Sequence, residues 1–207
     1  MTSGSCIVAD DRVATRVNDH LVPLEEYPDA AYLRLLSSKL FTTKADYARI
    51  VILPGSGGGE MAISLHSLAD RAGNVVATCT HAARNLWYAR FGEDPDAAPL
   101  AQIGIKRSDR AMPLATAIAV SNGIRRMIEK RKPLVKGDTE PLHGFTIVFS
   151  VGNDRALTGV LTPVARGSNA RNLRNLTLLL EQYCRSSPAD ASALAAKIER
   201  QAKRLAK

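Results

Sequence analysis

A chain of 207 residues that is 45% hydrophobic and 23% charged has the balance of a packed globule, which excludes a disordered or low-complexity chain. No uninterrupted apolar run nears the roughly 18 residues of a membrane span, and residues 1–6 carry no basic stretch leading into an apolar one, so neither a membrane-embedded nor a secreted protein is expected. The net charge of +8 is unevenly placed: residues 1–100 hold nine Lys/Arg and twelve Asp/Glu (−3), residues 101–207 nineteen and eight (+11). Such asymmetry between halves points to a nucleic acid or another anionic partner, although charge also serves simply to keep a protein dispersed.

In chain order, Asp10-Asp11 suit the N-terminus of a helix running through Val13, Val17 and Leu21. A second helix follows Pro28, with Tyr32, Leu35, Leu36 and Leu40 on one face. Ile50 to Leu53 reads as a β-branched strand ended by Pro54 and a glycine cluster. Met61 to Ala72 then reads as a helix, Asn74 to Cys79 as a strand and His81 to Phe91 as a helix closed by the acidic loop from Gly92. Ser108-Asp109 are candidate caps for a long helix, with Pro113 in its first turn and Leu114, Ala117, Ile118, Ser121, Ile124 and Ile128 along one side, stopped by Pro133. Phe145 to Phe149 and Leu157 to Leu161 flank Gly152-Asn153-Asp154 and suggest a hairpin. Ser168 to Cys184 has Leu173, Leu176, Leu180 and Tyr183 on one helical face. Ser187-Pro188-Ala189-Asp190 is a capping box opening a last helix, which spans about 187–206.

Cys6, Cys79 and Cys184 are odd in number, far apart and without a Cys-x-x-Cys pair. A disulfide framework or a structural zinc site is therefore not expected, and a reducing, cytoplasmic compartment is. Cys79-x-His81 offers two ligand types with no second pair to complete a metal site, and His66 sits in an apolar pattern that suits a packed residue.

Pro54-Gly55-Ser56-Gly57-Gly58-Gly59-Glu60, read as lying between a strand and a helix, would let backbone N–H groups approach a phosphate at a helix N-terminus. Over about 30 residues it resembles the first loop of Rossmann-fold methyltransferases. Leu53-Pro54 stands where that family carries a carboxylate, and Thr78 to His81 where it carries a ribose-binding acid. A tight surface turn explains the same glycines. No lysine follows them, which excludes a Walker-type loop.

Three basic clusters form the stronger constellation. Arg125, Arg126, Lys130, Arg131 and Lys132 fill the last turns of the long helix, where they also complement its negative pole. Arg166, Arg171 and Arg174 surround the start of the next helix, where a positive charge opposes the macrodipole unless an anion sits there, so a phosphate is expected. Lys197, Arg200, Lys203 and Arg204 make a cationic stripe on the last helix, behind a seam of Leu194, Ile198 and Leu205. Aromatic residues are only 5% and lie away from these clusters, so binding through phosphates, with weak sequence preference and a steep salt dependence, is the expectation.

Proline, alanine and serine total 54 of 207 residues, and the run Ser186-Ser187-Pro188-Ala189-Asp190-Ala191-Ser192-Ala193 is rich in all three. In this general character the chain resembles the proline-alanine-serine-rich proteins of fungal polymycoviruses. The resemblance implies association with a viral double-stranded RNA genome in the host cytoplasm and self-association along it. It transfers no individual residue.

The reading is a single domain over 1–207, α+β and helix-dominated, with short strands and a basic C-terminal helix. The expected function is non-enzymatic, sequence-indifferent binding of single- or double-stranded RNA by a homo-oligomer, without cofactor, metal or membrane. The alternative is a degenerate Rossmann-like, S-adenosylmethionine-dependent methyltransferase acting on nucleic acid through residues 55–60.

Overall fold

The computed structural model describes residues 19–24, 30–41, 47–54, 58–67, 74–91, 99–133, 145–152, 157–162, 165 and 167–207. A six-stranded antiparallel sheet runs through the middle of the described residues with helices on both faces, which corrects the expectation of a helix-dominated fold. The strands are β1 (Ala48–Leu53), β2 (Met61–Ser67), β3 (Asn74–Ala82), β4 (Ile105–Pro113), β5 (Thr146–Ser150) and β6 (Thr158–Leu161), in the order β4-β3-β2-β1-β5-β6. Strands from the acidic and the basic halves of the chain thus share one sheet. The expected hairpin of β5 and β6 forms, pairing Val148 with Val160.

One expected helix is a strand over its described residues, and the caps expected for another lie in a strand. Met61 to Ser67 forms β2, whose Met61, Ile63 and Leu65 face one side and whose Ala62, Ser64 and His66, buried on the other, supply the two-residue alternation of a strand that the expected helix overlooked. Ser108 and Asp109, expected as helix caps, lie within β4, a mostly exposed edge strand whose polar residues imitate a helix start. Leu21, expected to end a helix, lies in no helix and is buried. Beside it Val22 exchanges two 2.8 Å backbone hydrogen bonds with Val160 at the outer edge of β6. Asp10, Asp11, Val13 and Val17 lie outside the described residues.

The helices are α1 (Ala30–Leu40), α2 (Leu86–Phe91), α3 (Leu114–Glu129), α4 (Ser168–Arg185) and α5 (Pro188–Leu205). One face of the sheet carries α1 and α2: Tyr32, Leu36, Leu40 and Leu86 pack with Val51, Leu53, Ala62, Val148 and Val160. The other carries α3 and α4, whose Val120, Ile124, Leu173, Leu176 and Leu180 pack with Ile50, Ile63, Leu65, Ala77 and Phe149. α5 forms an outer layer, packed on α3 and α4 rather than on the sheet. Its start is the expected capping box, with Ser187 Oγ accepting from Asp190 N–H at 3.3 Å and donating to Asp190 Oδ2 at 2.6 Å.

Cys79 of β3 and Cys184 of α4 form a disulfide with Cα atoms 6.0 Å apart, correcting the expectation of unpaired cysteines. The two half-cystines are 105 residues apart in sequence, and only the packing of α4 on the sheet brings them together. Such a bond belongs more naturally to an oxidising than to a reducing compartment. Among the described residues no helix is long and apolar enough to cross a membrane.

Candidate nucleic-acid interface

The basic clusters are gathered by helix direction. Gly123 of α3 lies so close to α5 that a Cβ there would stand 2.7 Å from Ala202 O. Farther along, Arg126 Nη2 donates to the Lys207 carbonyl at 2.8 Å, so α3 and α5 run side by side in the same direction. The tight turn at Ser186-Ser187 makes α4 antiparallel to α5, and Gln201 Nε2 donates to Asn172 O at 3.1 Å and to Asn172 Oδ1 at 3.0 Å. Two helix C-termini and one N-terminus therefore meet at one end of the helical layer.

There Arg125, Arg126, Lys130 and Lys132 of the α3 end, Arg171 of α4, and Arg200, Lys203 and Arg204 of α5 are exposed, with Lys197 farther back along α5. Arg131 is half-buried and turns back to donate to Ile128 O at 3.3 Å. An ion pair in this patch joins Lys203 Nζ to Glu199 Oε1 at 2.6 Å, an exposed pair worth about a fraction of a kcal/mol. Both C-terminal poles favour cations, and the exposed cations on these turns outnumber their nearby acids, Glu129 and Glu199.

Two expected members differ. Arg166 lies outside the described residues. Arg174 is half-buried, donates to Thr162 O at 3.2 Å and faces a groove beside α4 rather than the exposed patch. The expected phosphate at the start of α4 also meets a correction. Asp19 already sits there, its Oδ1 accepting from Ala170 N–H at 2.8 Å and its Oδ2 lying 3.4 Å from the Ser168 hydroxyl. Gly167, at φ 114°, is required at this junction: any Cβ would lie 2.6 Å from the Asp19 carboxyl carbon.

The glycine-rich run behaves in the same way. It joins two antiparallel strands, β1 and β2, so the strand–loop–helix order behind the Rossmann-like reading is absent. Glu60 at its end is fully buried. Its carboxylate accepts from Leu86 N–H at 3.0 and 2.7 Å, from Trp87 N–H at 3.2 Å and from the Tyr32 hydroxyl, so the start of α2 receives its anion from within the chain.

On the α1/α2 side of the sheet, His66, Thr78 and Asp109 link three strands. Thr78 Oγ1 donates to Asp109 Oδ1 at 2.6 Å and lies 3.0 Å from His66 Nε2, which therefore donates to it. The hydroxyl proton is committed to the carboxylate and the histidine is not its base, so this chain of groups does not activate Thr78 as a nucleophile. Burial pushes the Asp109 carboxyl up, but hydrogen bonds from Thr78 and Arg107 and the charges of Arg107 and His66 outweigh it and hold the group below its ordinary value. Among the described residues no cluster of three His, Cys, Asp or Glu could hold a metal.

Beside α4, two adjoining cavities open at the end of the sheet where β1 stops and β2 begins. One, of about 360 Å³, has an apolar lining that includes Ile52, Met61, Ile147, Phe145 and Leu178. The other, of about 330 Å³, is lined by Lys106, Arg107, Ser108 and Arg185. Met61 and His81 belong to both. Sequence reading missed this groove because its residues come from five strands and a helix that are not neighbours along the chain; the closely spaced Lys106, Arg107 and Arg110 were the only local signal.

No family model, no curated protein and no solved structure matches this chain.

Proposed function

We propose that the protein binds RNA non-enzymatically, through phosphates and with little sequence preference, on the surface formed by the ends of α3 and α5. The observation that carries this reading is the convergence of clusters some 75 residues apart in sequence, Arg125 to Lys132 and Arg200 to Arg204, on one exposed surface. A nucleic-acid backbone is a dense line of negative charge, and a surface of this kind gains by releasing its condensed counterions. Packing explains the internal faces of α3 and α5 but does not require this many cations on the outward ones. Association with a genome, as the polymycovirus resemblance implies, would add self-association along the strand.

The test is a fluorescence-anisotropy titration with single- and double-stranded RNA from about 50 to 200 mM salt, a range over which a binder of six to ten phosphates loses roughly 10³- to 10⁵-fold in affinity. Replacing Lys197, Arg200, Lys203 and Arg204 together by Gln should weaken binding and flatten the log–log salt slope by about 3 to 4. All four side chains are exposed, so the fold should be retained. Unchanged affinity in this variant would remove α5 from the interface, and absence of binding at low salt would end the reading.

A further inference from the structure

We infer that the groove beside α4 takes one unpaired nucleotide of the bound RNA, with the base in the apolar cavity and a flanking phosphate in the cationic one. This rests on the RNA reading above and adds to it a second, base-contacting site.

The floor of the groove is a single row across the sheet. Lys106 pairs with His81, His81 with Met61, Met61 with Ile52, and Ile52 with Ile147, so side chains of β4, β3, β2, β1 and β5 stand in line on one face. The row passes from cationic to apolar, and α4 runs alongside it with Arg174, Thr177, Leu178, Glu181 and Arg185. A ligand matching this order has a flat apolar body and an anionic group beside it, as a nucleotide has.

Size and surface agree with this assignment. A cavity of about 360 Å³ lies at the small end of the ligand-pocket range, roughly 300 to 1,000 Å³, and suits one base better than a long acyl chain. Phe145 is 61% exposed and Leu178 54% exposed, two large apolar side chains that line the same cavity yet stand largely in water. An exposed aromatic ring beside an apolar cavity is a stacking platform for a base. In the neighbouring cavity Arg185 is held by Glu181 at 2.8 Å and Arg107 by Asp109 at 3.0 Å, whereas Lys106 is exposed and lies directly across from His81. Lys106 is accordingly the cation assigned to the phosphate. Duplex RNA keeps its bases stacked inside, so this site predicts a preference for single strands.

The experiment compares, on the full chain at constant salt, a ten-nucleotide single-stranded RNA with an abasic strand carrying the same number of phosphates. The parent protein should bind the base-bearing strand roughly tenfold more tightly, since stacking contributes about 1–3 kcal/mol per base. Phe145→Ala should abolish that difference while leaving the affinity for the abasic strand and the salt slope unchanged. The α5 Gln variant should do the reverse, lowering both affinities and keeping their ratio. Equal affinity of the parent for the two strands would overturn the groove assignment and leave phosphate binding intact. If neither strand binds, a nucleoside monophosphate is titrated while the His81 and Phe145 ring resonances are followed. Shifts of both rings in the parent, with the His81 shift lost in Phe145→Ala, would uphold the nucleotide site without the RNA surface, and unmoved rings in the parent would overturn it.

Discussion

Glu60 at the start of α2 and Asp19 at the start of α4 perform the same task in different surroundings. Both are carboxylates brought from another part of the chain to a helix N-terminus, where backbone N–H groups lack intrahelical partners and the dipole is positive. Glu60 is wholly buried and satisfies two N–H groups and a tyrosine hydroxyl. Asp19 is half-exposed, with Ala170 N–H and the Ser168 hydroxyl as its partners. These are also the two places where glycines or first-turn arginines suggest an external phosphate. A helix N-terminus already answered from within has little left to offer a ligand, whereas the C-terminal ends of α3 and α5 carry an excess of cations with few carboxylates beside them. A foreign anion should therefore prefer the cationic ends.

The strongest test of that contrast is Glu60→Ala. Removing the buried carboxylate to which Leu86 N–H, Trp87 N–H and the Tyr32 hydroxyl donate should cost about 3–5 kcal/mol, read from urea denaturation, even though Trp87 N–H keeps Asn85 Oδ1 at 2.9 Å. A loss below about 1 kcal/mol would mean that Glu60 is not the anchor of α2. Next in size is the disulfide, which ties the far end of α4 to β3. Its removal by Cys184→Ser should cost about 2–4 kcal/mol. In the unreduced, denatured parent only Cys6 should react with a thiol reagent, and a count of three would contradict the bond. Asp19→Ala should cost roughly 1 kcal/mol. It would also uncover the α4 N-terminus, so inorganic phosphate should raise the melting temperature of this variant more than that of the parent.

The smallest effect concerns Asp109. Its carboxyl is held below the ordinary value of about 3.9, so the folded state binds this proton less readily than the unfolded chain. The resulting stability is present above pH ~4 and is lost as the pH falls through the lowered value. Asp109→Asn should flatten the acid limb of the stability–pH curve slightly and leave neutral stability nearly unchanged, because the side chain is half in water and screened. A steeper acid limb would show the sign to be wrong.

Much of the helical layer was legible in the sequence. The stripes of α1, α3 and α4 bury largely as their spacing predicts, with Ile118 of the expected α3 stripe exposed instead, and the Ser187 box starts α5. What escaped was set by partners distant along the chain. β4 is polar because it lies at an edge and lacks the alternation that identifies a half-buried strand, whereas β2 does alternate over Ile63-Ser64-Leu65-His66, its polar residues being buried because it lies inside the sheet. The basic residue types were visible, but their convergence depends on α3 and α5 running in the same direction past Gly123. Arg174 could not be told apart from Arg171, although a single turn of helix sends one into the groove and leaves the other on the surface.

The two margins of the sheet are not equivalent. Val22 bonds to the centre of β6 and closes that side, while β4 presents six exposed residues of nine, with Lys106, Arg107, Asp109 and Arg110 along it. Charges of this density discourage strand addition. A contact of β4 with the β4 of a second copy would be self-complementary and complete at two copies. Copies arrayed along a polyanion would then be spaced by the polyanion alone, so the array should fall apart when a nuclease removes its template.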